Sequence, residues 1–374
     1  MIISITFASI NLYNGYVTYT KDGMALGFIE QSGNFQIAKN AYWNNGQEED
    51  SNLDAKDIKE IKNILNKKNI SNVECVLEIS GLVGNQKASR AFWGEAYDNP
   101  EKYCSLVKGE PVFTDDDGVV LGMLLAKTLG FEKELGYVTV LSSSSEMGIC
   151  LADFDIKGIS SSGIVQQDKG FLLASRKSMN DFLGLEDTCS YMKVYFLQNK
   201  DNKKFLSQIS LELPQQYSIK NWEELNPSYH QINEMNATQF FIISFILVIL
   251  IFVCLTLSLI TTFTERIKEF GTMEALGFTK KQIIFLMLTE SFFLSLIGIS
   301  FGFILVFVLC FFTNKLNITI IPPGYSDGYK LIFIIKWYDY IKTFILIFTI
   351  CLSATLYPAF NILGKTSANL IKRT

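Results

Sequence analysis

Little in this sequence is equipped for covalent chemistry. It holds one histidine in 374 residues, His230, so a nucleophilic serine or cysteine has almost no base to draw on. No GxxxxGK[ST] stretch occurs, which removes the loop that cradles nucleotide phosphates. The seven cysteines include no CxxC, and no metal-ligand spacing is visible. Charged residues make up only 19% of the chain and the net charge is −4, which leaves no electrostatic footprint for a nucleic-acid partner. The N-terminus lacks the basic start and small-residue cleavage site of a signal peptide.

What the chain does have is apolar sequence, 49% of its residues, at a mean hydropathy of +0.23. Its charge is unevenly placed. From Gln239 onward there are 11 Lys/Arg against 6 Asp/Glu, whereas residues 1–238 hold 22 against 31. An acidic, water-exposed part joined to a membrane part fits that split.

Phe240–Phe263 runs 24 residues without a charge, and about 20 helical residues cross a hydrocarbon core. Ile283–Phe312 is interrupted only by Glu290, and Thr343–Leu363 has no charge. Met1–Thr20 is also uncharged, though Asn11, Asn14 and several hydroxyls dilute it, and it is read as a first transmembrane helix or the remainder of one. The expected architecture is therefore a membrane α-helical protein with four transmembrane helices, and a large mixed α+β extracytoplasmic domain (residues 21–236) inserted between helices 1 and 2. Residues 237–374 form the membrane part. The short loop Thr264–Lys281 carries Arg266, Lys268, Lys280 and Lys281, and the tail carries Lys365, Lys372 and Arg373, more densely than the lysines of Asn314–Lys342. That bias puts the loop and tail inside and the large domain outside.

Within 21–236, apolar spacing predicts helices over Asp54–Lys67 and Gly118–Leu129, and strands over Val73–Ile79, Tyr137–Leu141, Gly148–Ile159 and Tyr191–Leu197. Ser228–Thr238 has no strong breaker after Pro227 and reads as a helical stalk entering the span at Phe240. Asp115-Asp116-Asp117-Gly118 lacks the remaining ligands of a calcium loop and reads as a solvated turn. Ser142–Ser145 has no histidine near it and reads as a flexible turn. Cys75, Cys104, Cys150 and Cys189 read as buried thiols, although in an oxidising compartment four cysteines could pair in three ways.

The segment TERIKEFGTMEALGFTKKQIIFLMLTESFFLSLIGISFG, Thr264 to Gly302, contains in order a basic-acidic start (Arg266, Glu269), a glycine (Gly271), an Ala-Leu-Gly step (Ala275, Leu276, Gly277), an Ile-rich helix entry, and Glu290 followed by glycines. In this it resembles the signature of the MacB/FtsX-like ABC transporter permease family. Ile321-Pro-Pro-Gly-Tyr-Ser-Asp-Gly328 is similar to the Pro-rich link between the last two spans of the MacB-like branch, and Tyr357-Pro-Ala359 to its closing helix. Gly94, Pro100-Glu101, Val119–Leu129 and Gly136-Tyr-Val-Thr-Val140 are similar to its looser external pattern. Such relatives usually begin with a basic amphipathic segment before the first span, whereas this sequence starts inside apolar residues, so that either the start is trimmed or the first span is unusually short.

The resemblance implies a non-catalytic permease in the cytoplasmic (inner) membrane, with no cofactor of its own. The implied partners are a dimer of nucleotide-binding ABC ATPase subunits, a second permease copy or paralogue, and membrane lipid. Thr264–Gly277 would dock into the ATPase, with Phe270, Met273, Ala275 and Leu276 offering apolar contact and Glu265, Arg266, Lys268, Glu269 and Glu274 a charged rim. A helix lying on lipid headgroups would carry more net positive charge. Glu290, seven residues past Ile283, either faces protein or water within the span or sits at the headgroups. Gly298 and Gly302 form a GxxxG step that admits close approach of a neighbouring helix and would suit a permease dimer. The implied work is export or release of an extracytoplasmic cargo such as a lipoprotein or other hydrophobic molecule. Peptide, toxin or drug efflux and regulation of a cell-wall hydrolase stand as alternatives.

Overall fold

A computed structural model describes residues 1–45, 51–144, 147–196, 202–320 and 329–363. The described residues divide into two compact units, one within residues 26–227 and the other made of residues 1–25, 228–320 and 330–363.

The first unit is built on a ten-stranded sheet. Helix α1 (Ile2–Ser32) enters it and is followed by β1 (Phe35–Lys39), α2 (Asn40–Asn45) and α3 (Ala55–Lys67). Asp54 and Asp57 cap α3 reciprocally, and Ile58, Ile61 and Leu65 form its buried stripe. Next come β2 (Val73–Gly84), β3 (Ser89–Tyr97), a 3₁₀ turn at Pro100–Tyr103, β4 (Leu106–Gly109), β5 (Gly118–Gly122) and α4 (Met123–Leu129). The chain continues through β6 (Tyr137–Ser144), β7 (Gly148–Ser160), α5 (Val165–Asp168), β8 (Phe171–Ser175), α6 (Arg176–Leu183) and β9 (Tyr191–Val194). It closes with α7 (Asn202–Glu212), β10 (Tyr217–Asn221) and α8 (Trp222–Leu225).

Along the sheet the order is β10-β1-β9-β2-β3-β8-β5-β7-β4, and β6 pairs with both β2 and β7. Strands β2, β3, β8, β5, β7 and β6 therefore form a closed circuit around a core that includes Leu77, Phe92, Leu121, Val140, Phe154 and Leu172. Where the circuit closes, a Cβ on Gly81 would stand 2.0 Å from the carbonyl oxygen of Leu141, so only glycine fits. Gly118–Gly122, expected as the start of a helix, is instead a fully buried strand held between β7 and β8. Ser142–Ser144, expected as a turn, continues β6, with Ser142 donating to the carbonyl of Ser80 (2.8 Å) and Ser144 to that of Leu183 (2.7 Å).

A charged pair lies in this unit. Lys193 Nζ donates to Glu95 (3.0 Å) and to the Tyr97 hydroxyl (2.6 Å), and Tyr191 donates to the other Glu95 oxygen (2.8 Å). Their side chains are 2% and 17% exposed for Lys193 and Glu95. Burial pushes the Glu95 carboxyl up, but the Lys193 charge and the donated hydrogen bonds outweigh it and hold it below the usual carboxylate range.

The second unit is helical. It contains the N-terminal part of α1, then α9 (Pro227–Glu265), α10 (Ile267–Ala275), α11 (Lys280–Leu316), the short strands β11 (Thr319–Ile320) and β12 (Tyr329–Lys330), and α12 (Trp337–Leu363). Among the described residues, three helices are long and apolar enough to cross a membrane, over Pro227–Glu265, Lys280–Leu316 and Trp337–Ala359. The stalk expected over Ser228–Thr238 belongs to one unbroken helix with the span that follows. Helix α1 packs on the others, with Phe7, Ala8 and Ile10 buried beside Ile251, Ile299, Val306, Ile347 and Cys351. It continues past the expected end at Thr20 to Ser32. Asn11 is buried inside, its amide nitrogen donating to the Phe7 carbonyl one turn back (2.9 Å) while its Oδ1 has no hydrogen-bond partner among the described residues. The Pro-rich link 321–328 and the basic tail lie outside the described residues.

Candidate coupling segment

Helix α9 ends at Glu265, and Arg266 (φ −95°, ψ 13°) marks the break before α10. Arg266 holds the corner. Its Nε donates to Glu269 (2.8 Å) and its Nη1 to both carboxylate oxygens of Glu290 on α11 (2.9 and 3.0 Å). Its guanidinium also lies over the Phe270 ring, 5.7 Å from the centroid. The Glu269 hydrogen bond and then the Glu290 charge push the Arg266 pKa up, so the guanidinium stays charged. Glu290, left between two readings by the sequence, is thus an ion-pair partner of the loop, 37% exposed.

Beneath this corner lies an apolar cluster of Phe263, Ile267, Phe270, Ile283, Met287 and Ala359. Phe263 and Phe270 meet edge to face at 6.2 Å. Phe270, expected to offer contact to a partner, is only 1% exposed and faces inward, and Gly271 is buried beside it. The outward face holds Glu265, Lys268, Glu269, Ala275, Leu276 and Gly277. Met273 is half-buried at the margin, and the Glu274 Oε2 atom is enclosed without a hydrogen-bond partner.

The Ala-Leu-Gly step has a local physical cause. Gly277 N donates to the Glu274 carbonyl (3.0 Å) and Phe278 N to that of Met273 (3.1 Å), the double closure that ends a helix through a left-handed residue. Gly277 supplies that conformation at φ +98°. Two residues on, Thr279 and Gln282 cap α11 reciprocally. Leu276 is consequently thrown 80% into the open and Phe278 50%. A cleft of about 380 Å³ opens beside them, lined by Met273, Phe278, Gln282, Ile283, Phe285, Leu286 and Thr289. Phe278 and Phe285 were not singled out from the sequence, where each is one more apolar residue beside a span.

Further along α11, Gly298 and Gly302 are buried against α1 of the same chain. A Cβ on Gly298 would lie 2.9 Å from the Ile3 side chain, and one on Gly302 would lie 3.0 Å from Phe7 and from the Ser4 carbonyl. The glycine step thus makes an intramolecular contact, where the sequence suggested a dimer face. Elsewhere, Asp115 pairs with Lys177 (2.8 Å) and Asp116 accepts from the Phe113 amide (3.1 Å). No group of three metal-ligating side chains occurs among the described residues. His230 stands in the first turns of α9 against the Tyr229 ring.

Among the described residues these helices, with a corner clamped by Arg266, include three long and apolar enough to cross a membrane. Residues 241–367 match the family described as FtsX-like permease C-terminal. Among solved structures, the periplasmic region of MacB from Actinobacillus actinomycetemcomitans is similar at a TM-score of 0.40 and 12% identity, over 53% of this chain and 94% of that one. The extracellular domain of the noncanonic ABC-type transporter YknZ from Gram-positive bacteria is similar at 0.35 and 13%, over 46% and 90%. No curated protein sequence matches the chain.

Proposed function

We propose that this chain is the permease subunit of an ATP-driven ABC exporter in which movement, rather than a conducting channel, does the work. The observation that carries the reading is the match of residues 241–367 to the FtsX-like permease C-terminal family. In this reading four helices, α1, α9, α11 and α12, cross the cytoplasmic membrane, and residues 21–236 form the extracytoplasmic domain. The α10 corner is the cytoplasmic lever, and an ABC ATPase subunit grips Leu276, Phe278 and the adjoining cleft within a rim of Glu265, Lys268 and Glu269. An exposed leucine and phenylalanine inside a charged ring suit an interface core better than a water-facing loop.

ATP binding closes two such subunits, and the lever shifts with them. The Arg266 clamp ties α10 to α11 through Glu290, so both helices respond together. Helix α9, 39 residues and roughly 58 Å long, transmits the displacement along its axis toward Pro227. The cargo is an extracytoplasmic lipoprotein or similar hydrophobic molecule, released outside rather than threaded through the bundle.

Leu276→Asp tests the grip. With the side chain already 80% exposed, insertion and thermal stability are expected to stay unchanged, while co-purification of the ATPase from detergent extracts falls at least tenfold. Undiminished co-purification would refute the docking face. Depletion of the protein is expected to leave lipoproteins at the inner membrane; normal release with altered cell-wall cleavage, or with lost peptide or drug efflux, would replace the cargo assignment.

A further inference from the structure

Cys75 and Cys189 are some 110 residues apart in sequence and side by side in the fold. Cys75 lies in β2 opposite Met192 of β9. Cys189 is pinned from two directions. Its backbone exchanges hydrogen bonds with Leu53 (2.7 and 3.1 Å), and the next amide, Ser190 N, donates to the carbonyl of Val76 (2.8 Å), the residue after Cys75. Both side chains are free thiols, fully buried in the same cluster as Leu53, Ile61, Met192 and Val194. Cys104 and Cys150 belong to neither this cluster nor its margin.

We infer that Cys75 and Cys189 are an oxidisable dithiol that closes to a disulfide when the domain folds in an oxidising compartment, an inference that rests on the external placement of residues 21–236. Exchange can begin at either sulfur with the same balance, for example at Cys75. Its thiolate attacks one sulfur of an incoming disulfide, either glutathione disulfide or the disulfide of a thiol oxidoreductase. A mixed disulfide forms at Cys75 and one thiolate leaves. Cys189 then loses its proton and attacks Cys75 Sγ, forming the Cys75–Cys189 bond and expelling the second thiolate. Two electrons and two protons pass from the cysteine pair to the reagent, which becomes two thiols. Because neither sulfur is exposed in the folded domain, exchange takes place during folding or local opening. Once closed, the bond is shielded from reductants.

The test uses the full chain recovered from membranes with alkylation at lysis, then non-reducing digestion and mass mapping. A linked peptide pair containing Cys75 and Cys189 is expected. Reduction under mild chaotrope should lower the melting temperature by about 10 °C, a shift absent in the Cys75→Ser/Cys189→Ser double variant. Sidedness is read separately with Lys87→Cys, an exposed position, and a membrane-impermeant maleimide on intact cells. Outside labelling with Cys75 and Cys189 recovered as separate alkylated thiols, or linked to other cysteines, overturns the inference. If Lys87→Cys is shielded, it is the external placement that fails. The detergent-solubilised chain, refolded from chaotrope in glutathione disulfide, then decides: the Cys75–Cys189 linkage sustains the pair and two free thiols overturn it.

Discussion

Glu95 and Lys193 meet where neither could be left alone. Replacing Glu95 by Gln keeps the shape but strands the Lys193 ammonium, which is 2% exposed, and a broken buried pair costs roughly 3–5 kcal/mol. Glu95→Gln is expected to lose about that much in chaotrope unfolding of the full chain. The pH dependence has a definite sign. The folded carboxyl titrates below its unfolded value, so its contribution is complete above the ordinary carboxylate range and disappears as pH falls through the folded value. Wild type should therefore lose stability below about pH 4 more steeply than Glu95→Gln. Equal slopes would remove the ion pair from the explanation. None of this was visible in the sequence, because Glu95 and Lys193 are ordinary charged residues until strand order brings them together. The same holds for Arg266 and Glu290, which meet across the turn between α10 and α11.

At the scale of elements, helix ends and glycines carry the argument. Nothing lies within 4 Å of a Cβ built on Gly277, so alanine there meets only the cost of its φ of +98°. Gly277→Ala should cost about 1 kcal/mol, leave insertion intact and reduce ATP-driven activity several-fold. A variant with full activity would show that the sharp end of α10 is dispensable. For α1 against α11, oxidation of Ile3→Cys/Gly298→Cys should cross-link the two helices, since the Cβ positions are 2.9 Å apart, and Gly302→Leu should suppress that link by pushing Phe7 away. Failure to link would remove α1 from this position. Two elements defeated the sequence reading for a shared reason. The apolar run of Gly118–Gly122 fits a helix and a buried strand equally, and the serines of Ser142–Ser144 hide a strand whose hydroxyls find carbonyl partners only in the folded domain. The inward turn of Phe270 was equally hidden, because Ala359 and Met287, which cover it, come from α12 and α11.

For the whole molecule, the long apolar runs were legible because 24 uncharged residues admit few structures other than a span. The signature from Thr264 to Gly302 was legible too, and residues 241–367 match the family it suggested. The sequence named the loop; only the fold separates its inward half, Phe270 and Gly271, from its outward half, Leu276 and Phe278. The pairing of Cys75 with Cys189 belongs to the same scale, since connectivity among distant cysteines follows from topology rather than spacing.

Cross-linking from Leu276→Cys in native membranes tests most directly whether this loop is a lever grasped by a motor protein. The expected product is an adduct between this chain and a nucleotide-hydrolysing subunit, formed from the cytoplasmic side and altered by ATP. Labelling of the same cysteine by an impermeant maleimide added outside the cell, with no adduct to any ATPase, would contradict it.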